Sequence, residues 1–245
     1  MGYAFFRAAG ALLGLAAIIT QLSRSVQNAV ESDTAYGSHV PTVVANFLSF
    51  FTIQSNVLAV VTLAIGAIWA WTRGRDEEVE PRWFAILLAC TTTYMLVTGL
   101  VYNTLLRGVQ LPQGVTVPWS NEVLHVVIPL VLLVDLLFAP RRRALPWRTV
   151  WIIIAYPIVW VIYTLLRANL IIAPFNGNAW WYPYPFLDPN NPNLIPAGYA
   201  GVAVYVVAIA AGIIAFGFFV IWVGRWRGAR QQAGGLGRSP IERRA

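Results

Sequence analysis

This sequence of 245 residues has few charged residues: Asp, Glu, Lys and Arg make up only 11%, whereas 58% of the residues are apolar. A water-soluble domain carries about 25% charged residues, so the composition excludes a soluble domain and indicates a membrane protein. Lysine is absent, and all seventeen basic residues are arginine. The single cysteine, Cys90, excludes an intrachain disulfide and a multi-cysteine metal site. Because it lies in an apolar run, we expect it to be a small core residue.

Familiar catalytic and nucleotide-binding motifs are also missing. The chain has no GxSxG elbow, no HExxH pair and no GxGxxG or Walker loop. There are two histidines, His39 and His125, and only His125 has a carboxylate nearby, Glu122. We therefore expect no metal site and no cofactor. The net charge of +7 does not indicate nucleic-acid binding, because the arginines lie between apolar blocks rather than on a polar face.

The apolar residues fall into six blocks, each with the roughly 20 residues that a spanning helix needs. We expect the first block to be a helix rather than a signal peptide, because no clear small-x-small cleavage site follows it. The sequence thus predicts an all-α, polytopic membrane protein: a single six-helix transmembrane domain over residues 1–223 and a basic, disordered tail over 224–245. The blocks are Tyr3–Leu22, Val43–Trp71, Trp83–Leu106, Asn121–Ala139, Thr149–Leu170 and Ala197–Val223.

The arginines predict the orientation of these spans. The first, third and fifth connections contain only Arg24, Arg107 and Arg167, and the other arginines lie at the N-terminus, in the even-numbered connections and in the tail. By the positive-inside rule both termini are then cytoplasmic and the odd-numbered loops face outward. We expect the tail to contact anionic lipid.

The fifth connection, IIAPFNGNAWWYPYPFLDPNNPNLIPAGY, is rich in proline, asparagine and aromatic residues. Its prolines favour a compact, structured loop over a regular helix. Two interpretations remain open. The loop either forms a cap over the mouth of the bundle, or its aromatic residues Trp180, Trp181, Tyr182 and Tyr184 are a belt of interfacial anchors.

Polar residues at membrane depth are the best pointer to function, because they usually face the bundle interior or a cavity. In a continuous second span, Thr52, Ser55 and Asn56 share one helix face. In the fourth span Asn121 and His125 are four residues apart and also share a face. The helical rise places Thr52 ~14 Å and His125 ~9 Å below the outer surface. Both therefore lie in the outer half of the bilayer, where a threonine hydroxyl could act as a nucleophile once a neutral histidine takes its proton.

Three segments also resemble a known family: FFTIQSN in the second span, NEVLHVVIPL in the fourth, and YPYPFLDP in the outer loop. In this order across six spans they are similar to the androgen-induced gene 1 and androgen-dependent TFPI-regulating protein family, in a bacterial branch. The resemblance implies hydrolysis of fatty acid esters of hydroxy fatty acids within the cell (inner) membrane. It also implies that Thr52 is the nucleophile and His125 the base. Residues beside Thr52, including Gln54 and Asn56, depart from the pattern of the animal members.

An ester hydrolase also needs donors for the oxyanion. In a continuous second helix the backbone N–H groups are already paired, so side chains would have to donate. We expect Asn56, Asn121, Ser55 and Tyr102 as oxyanion or substrate-binding residues, in that order. The substrate is a membrane lipid or fatty acid ester that enters laterally from the bilayer, and Arg167 could hold a free carboxylate near the surface.

Two other functions remain open. One is a non-catalytic lipid-binding or structural protein in which Thr52 and His125 form a hydrogen bond between helices. The other is a small-solute or proton pathway through His125 and Glu122, which the apolar inner halves of the second, fourth and sixth spans disfavour. The sequence does not indicate an oligomeric state.

Overall fold

The computed structural model of this protein describes residues 2–109 and 116–236, the last six of them as backbone only. Within these ranges the chain forms helices, turns and loops, and no strand. Eight α-helices follow one another: α1 (Gly2–Val30), α2 (Val40–Ser49), α3 (Phe51–Trp71), α4 (Arg82–Val101), α5 (Pro118–Glu122), α6 (Ile128–Phe138), α7 (Thr149–Ala168) and α8 (Tyr199–Leu236). A π-helical turn, Tyr102–Leu106, extends α4, and a second, Val123–Val127, joins α5 to α6.

Six stretches are long and apolar enough to cross a bilayer. This agrees with the predicted all-α fold of six spans and describes a multi-pass membrane protein. The stretches are Gly2–Val30, Phe51–Trp71, Arg82–Leu106, Pro118–Phe138, Thr149–Ala168 and Tyr199–Arg230. Successive spans alternate in direction, so the connections divide between two ends of the bundle. We call the end with residues 72–81 and 139–148 the arginine-rich end, and the end with residues 31–39 and 169–198 the cap end.

The last helix differs from its prediction. The prediction of a disordered tail from residue 224 is wrong for residues 224–236, because α8 continues to Leu236. Its last turns are held at the arginine-rich end: Arg225 donates to the carbonyl of Leu145 (3.2 Å) and Arg227 to that of Leu136 (3.0 Å). Residues 237–245 of the predicted tail lie outside the described residues.

Small residues bring α1 close to its neighbours. A Cβ atom added to Gly10 would lie 2.9 Å from Val131 in α6, and one added to Gly14 would lie 3.0 Å from Val60 in α3. Contacts this short leave no space for a larger side chain. The same face of α1 continues through Ala17 to Gln21, both of which are buried. This packing orients Gln21 toward the interior at the cap end.

The second predicted span is broken. The sequence predicts one helix over residues 43–71, but Phe50 is extended (φ −66°, ψ 130°) and separates α2 from α3. Side chains satisfy the carbonyl groups that the break frees, as a bilayer requires. Gln54 donates to the carbonyl of Leu48 (2.8 Å), and Trp160 of α7 donates to that of Ser49 (3.0 Å). The break puts Thr52 in the first turn of a helix rather than in a helix interior.

The π-helical turn before α6 surrounds His125. In such a turn a backbone N–H bonds five residues back, as the N–H of Ile128 does to the carbonyl of Val123. Pro129 has no N–H to give to the carbonyl of His125, four residues before it. In α4, Gly99 packs against this carbonyl, since a Cβ added there would lie 3.2 Å from the His125 oxygen. The sequence predicts an irregularity at Pro129, and the π-helical turn lies immediately before that proline.

The long loop forms a cap over the mouth of the bundle, which is the first of its two interpretations. Trp181, Tyr182, Tyr184 and Phe186 are all at most 5% exposed and belong to the main hydrophobic core. Phe50, the residue at the helix break, packs edge-on against both Trp181 (5.5 Å between ring centroids) and Tyr184 (5.6 Å). The loop is therefore folded into the mouth of the bundle.

Candidate active site at the cap end of the bundle

Thr52 lies at the N-terminus of α3, where backbone N–H groups have no partner within the helix. Its own N–H donates to the hydroxyl oxygen of Tyr184 at 3.1 Å, and its Oγ1 lies 3.1 Å from the same oxygen. Burial raises the pKa of the Tyr184 phenol to about 12. At neutral pH the phenol therefore keeps its proton, and either of the two hydroxyls can donate to the other. The N-terminus of α3 also favours negative charge at this point.

His125 is held with one ring nitrogen occupied. Its Nδ1 lies 2.8 Å from the carbonyl oxygen of Asn121, and a carbonyl can only accept, so Nδ1 carries the proton. Nε2 is then the unprotonated nitrogen, and it has no hydrogen bond in the described part of the chain. The ring stacks on Tyr102, with centroids 4.1 Å apart. The imidazole is thus oriented with its basic nitrogen available.

Thr52 and His125 line the same small cavity of about 30 Å³. Tyr184, Asn121 and Gln21 contribute to its walls as well. Among the described hydrogen bonds none joins Thr52 to His125, so the two residues lie across a shared space rather than being locked to each other. The cavity brings together the two residues for which the resemblance implies chemistry.

A second cavity, of about 120 Å³, also reaches Thr52 and Tyr184. Its walls come from α4, α7, α8 and the cap, and they are almost wholly apolar, with Val97, Pro157 and Ile209 as examples. Thr52 therefore stands between a small cavity with several polar groups and a larger apolar one. This second space suits a hydrocarbon chain.

Two of the predicted oxyanion residues have their hydrogen-bond donors committed elsewhere. Asn56 donates through Nδ2 to the carbonyls of Thr52 (2.9 Å) and Leu124 (3.0 Å), and it thereby ties α3 to the His125 segment. Ser55 lies against the carbonyls of Phe51 (2.7 Å) and Thr52 (3.1 Å) and against the Thr98 hydroxyl (3.2 Å). The expectation of an oxyanion donor fails for both, because neither has a donor left over.

Asn121 and Tyr102 support the histidine instead. The Asn121 amide donates to the Tyr102 hydroxyl at 2.6 Å, while its backbone carbonyl accepts from His125. The Tyr102 hydroxyl accepts in this bond, so its own hydrogen is not used there. The premise behind all four side-chain candidates, that the backbone N–H groups are paired within a regular helix, does not hold at Thr52, because the helix break leaves its N–H to a side chain, the hydroxyl of Tyr184.

Arg167 lies apart from Thr52 and His125. Its Nη2 donates to Asn46 at 2.6 Å, and its guanidinium lies 5.3 Å from the centre of the Trp181 ring. Asn46 lines a third cavity of about 330 Å³ behind Phe50 at the cap end.

Sequence reasoning misses two residues of the site. Tyr184 is indistinguishable in the sequence from its aromatic neighbours, which suit a membrane interface equally well. Gln21 lies at the edge of the first apolar block, but it follows Gly10, Gly14 and Ala17 on one helical face, and that pattern marks it as inward-facing. Its Oε1 accepts from the N–H of Val117 (3.1 Å), and its buried Nε2 has no partner in the described ranges.

A second buried polar cluster lies at the arginine-rich end. Arg7 donates to both carboxylate oxygens of Asp135 (2.7 and 3.1 Å), and Arg142 also donates to Asp135 (2.9 Å). Glu80 lies 3.5 Å from Arg142 and accepts from the N–H of Arg143 (3.3 Å). Within the described ranges no three His, Cys, Asp or Glu side chains gather as metal ligands would.

The fold and the site describe a six-span helical membrane protein with a polar pocket at one end of the bundle. Comparison of the chain with models of protein families, with curated proteins and with solved structures gives no match in any of the three.

Proposed function

We propose that this protein is an intramembrane hydrolase of lipid esters, with Thr52 as the nucleophile and His125 as its base. The substrates are fatty acid esters of hydroxy fatty acids or similar lipids, and the chain is a bacterial member of the family that it resembles. In the proposed orientation both termini are cytoplasmic, the protein lies in the cell (inner) membrane, and the cap end faces outward.

One observation carries the proposal: Thr52 and His125 line a common cavity, and the basic nitrogen of His125 is not engaged elsewhere. The carbonyl of Asn121 fixes the tautomer that a general base requires. The Tyr184 hydroxyl, which accepts from the Thr52 N–H, supports the threonine from the other side. A hydroxyl nucleophile, a free imidazole nitrogen and donors for negative charge are the three groups that acyl transfer needs.

In the proposed reaction, His125 Nε2 takes the Thr52 proton while Oγ1 attacks the ester carbonyl carbon. The negative charge on the former carbonyl oxygen is held at the N-terminus of α3 by the Tyr184 hydroxyl, to which the Thr52 N–H donates. The protonated histidine then gives its proton to the departing alcohol, and an acyl-threonine remains. Water hydrolyses this ester, His125 taking the proton from water and returning it to Oγ1.

The apolar cavity next to Thr52 supports a lipid substrate. Its walls include Ile158 and Val161 of α7 and Val206 of α8. The outer faces of α7 and α8 expose large apolar side chains, as lipid-facing helices do. An ester dissolved in the bilayer could enter here and place its carbonyl at Thr52.

The two alternatives fit the structure less well. A structural role for Thr52 and His125 through a bond between helices lacks that bond among the described contacts, because each residue bonds elsewhere. A proton pathway would have to pass from His125 through a buried apolar layer that includes Leu63, Met95 and Leu132.

The proposal is tested with a fluorophosphonate probe and a long-chain ester. We expect the probe to label Thr52 in the wild-type protein. In Thr52→Ala and His125→Ala the labelling should be lost and ester turnover should fall by at least about 10³-fold, because the two residues act as one unit.

Thr62→Ala is the matched control. Thr62 is a buried threonine of the same helix, bonded to Thr91 at 2.9 Å and outside both cavities. It should keep both labelling and turnover. Wild-type turnover in Thr52→Ala or His125→Ala protein would refute the assignment.

A further inference from the structure

The cavity between Thr52 and His125 has the size and lining of a water site. A cavity of about 30 Å³ is large enough for a water molecule, which needs two to four polar partners to bind there. Gln21, His125, Thr52 and Tyr184 are among the residues that line it, and they carry an amide, an imidazole and two hydroxyls.

Gln21 lines this cavity, but it has no role in the reaction proposed for Thr52 and His125. The residue is only 6% exposed, and its Nε2 is buried without a partner in the described part of the chain. A buried amide donor without a partner destabilises the fold, so it is unusual unless a ligand pairs with it. Its position is fixed, because Oε1 of the same amide accepts from the N–H of Val117.

The two cavities share Thr52 and Tyr184 but otherwise have different walls. Apart from these two residues and Phe51, the apolar cavity is formed by α4 with its π-helical turn, α7, α8 and the cap, whereas the small one is formed by α1, α2, α3 and the segment 116–125. The small cavity also reaches Thr116, a half-buried residue just before α5 at the cap end. An acyl chain and a water molecule could therefore approach Thr52 at the same time without competing for space.

We propose that this cavity binds the hydrolytic water and that Gln21 positions it for attack on the acyl-threonine. This inference rests on the proposed function and adds the source of the water. Gln21 donates to the water oxygen and the water donates to His125 Nε2. His125 takes that proton, the hydroxide forms a bond to the acyl carbon, the bond from that carbon to Thr52 Oγ1 breaks, and the proton returns to Oγ1.

The first test separates acylation from hydrolysis. With 4-methylumbelliferyl oleate, Gln21→Leu should release one equivalent of the fluorescent alcohol and then turn over about tenfold more slowly than wild type or worse, because one water-binding hydrogen bond is lost. Intact-protein mass spectrometry should show the oleoyl-protein accumulating. The fluorophosphonate should label Thr52 at the wild-type rate, since labelling needs no water.

Gln27→Leu is the matched control on the same helix. The Gln27 amide lies at the surface and donates to Glu31 (2.7 Å), so this variant should behave as wild type in all three assays. If Gln21→Leu loses labelling and turnover together, Gln21 is structural and the water assignment is wrong. If the variant hydrolyses the ester at the wild-type rate, the assignment is wrong as well.

A second test uses the unmodified protein and so does not depend on a variant that folds. Added alcohols compete with water for the acyl-threonine, and in a cavity of about 30 Å³ methanol should compete far better than 1-butanol. We expect methyl oleate to exceed butyl oleate among the products. Equal yields of the two esters would overturn the water site alone, whereas a wild-type protein that neither labels nor turns over would overturn the proposed function itself.

Discussion

The two ends of the bundle each bury a polar cluster, but they treat the polar atoms differently. At the arginine-rich end every charge of the cluster has an opposite partner, with Asp135 between Arg7 and Arg142 and with Glu80 against Arg142. At the cap end the cluster carries no ion pair among its buried members. Three of its atoms, His125 Nε2, Gln21 Nε2 and Asn56 Oδ1, have no hydrogen-bond partner in the described structure.

This difference separates polar groups that hold helices together from polar groups that can act on a ligand. Opposite charges that are buried and paired fix the positions of α1, α6 and the segment 139–148, although Arg142 Nε is buried there without a hydrogen-bond partner among the described residues. Unpaired donors and acceptors around a cavity cost stability, and a ligand can offset that cost. Burial alone does not distinguish the two ends, whereas the pairing of charges does.

The largest effect should come from breaking the paired end. Asp135→Ala leaves Arg7 and Arg142 buried without their shared partner, which should lower the free energy of unfolding by about 3–5 kcal/mol. Unfolding in detergent micelles titrated with SDS measures this change. Ester turnover per folded molecule should stay at the wild-type value, because the cluster lies at the opposite end of the bundle from Thr52.

Asp76→Ala is the control for this prediction. Asp76 is an exposed aspartate at the same end of the bundle, and its side chain has no bond among the described contacts. The Asp76→Ala protein should unfold at the same SDS concentration as the wild type. If Asp135→Ala were as stable as Asp76→Ala, the buried ion pairs would not be holding this end together.

A smaller effect is expected at the unpaired end. Tyr184→Phe removes the hydroxyl that contacts both the N–H and Oγ1 of Thr52, and it keeps the aromatic packing against Phe50 and Phe186. We expect kcat for a long-chain ester to fall about 100-fold, the usual loss for one donor to a developing charge. The unfolding midpoint should change little.

Tyr182→Phe is the matched variant in the same loop. The Tyr182 hydroxyl lies 3.2 Å from that of Tyr199 and does not touch Thr52. Its removal should leave kcat unchanged. Equal rates for the two variants would mean that the cap contributes packing and no chemistry.

The sequence predicts much of the fold and part of the site. Charged and polar residues are rare in helices that span the hydrocarbon core, so long stretches without them mark the six spans. The few polar residues that do occur within the spans draw attention to Thr52 and His125. That signal is local, since it needs only the hydropathy of the chain and the rise of a helix. The predicted convergence of the second and fourth spans at one level agrees with the cavity that Thr52 and His125 share.

What the sequence does not predict depends on contacts between distant segments. The helix break at Phe50 has no glycine or proline beside it, and the groups that cap it include Trp160, more than a hundred residues away. Arg7 and Asp135 look like an orientation signal and an isolated acid until folding pairs them. Tyr184 resembles any interfacial aromatic residue until the loop folds inward.

The smallest effect should come from the exposed ion pair at the cap end. Arg107 and Glu122 lie 2.8 Å apart, but both side chains are nearly half exposed, and an exposed pair adds little to stability because water and salt screen it. Glu122 is three residues from His125 and is the carboxylate that a proton pathway would use. In Glu122→Gln we therefore expect ester turnover within about twofold of wild type and an unchanged unfolding midpoint.

The comparison variant is Asn121→Ala, which removes the amide bonded to Tyr102 behind the imidazole. It should lower kcat by more than Glu122→Gln does, since it loosens the support of the His125 ring. The reverse order would mean that charge near His125 matters more than the orientation of its ring, and the base would then have to be sought in a coupled histidine–carboxylate pair.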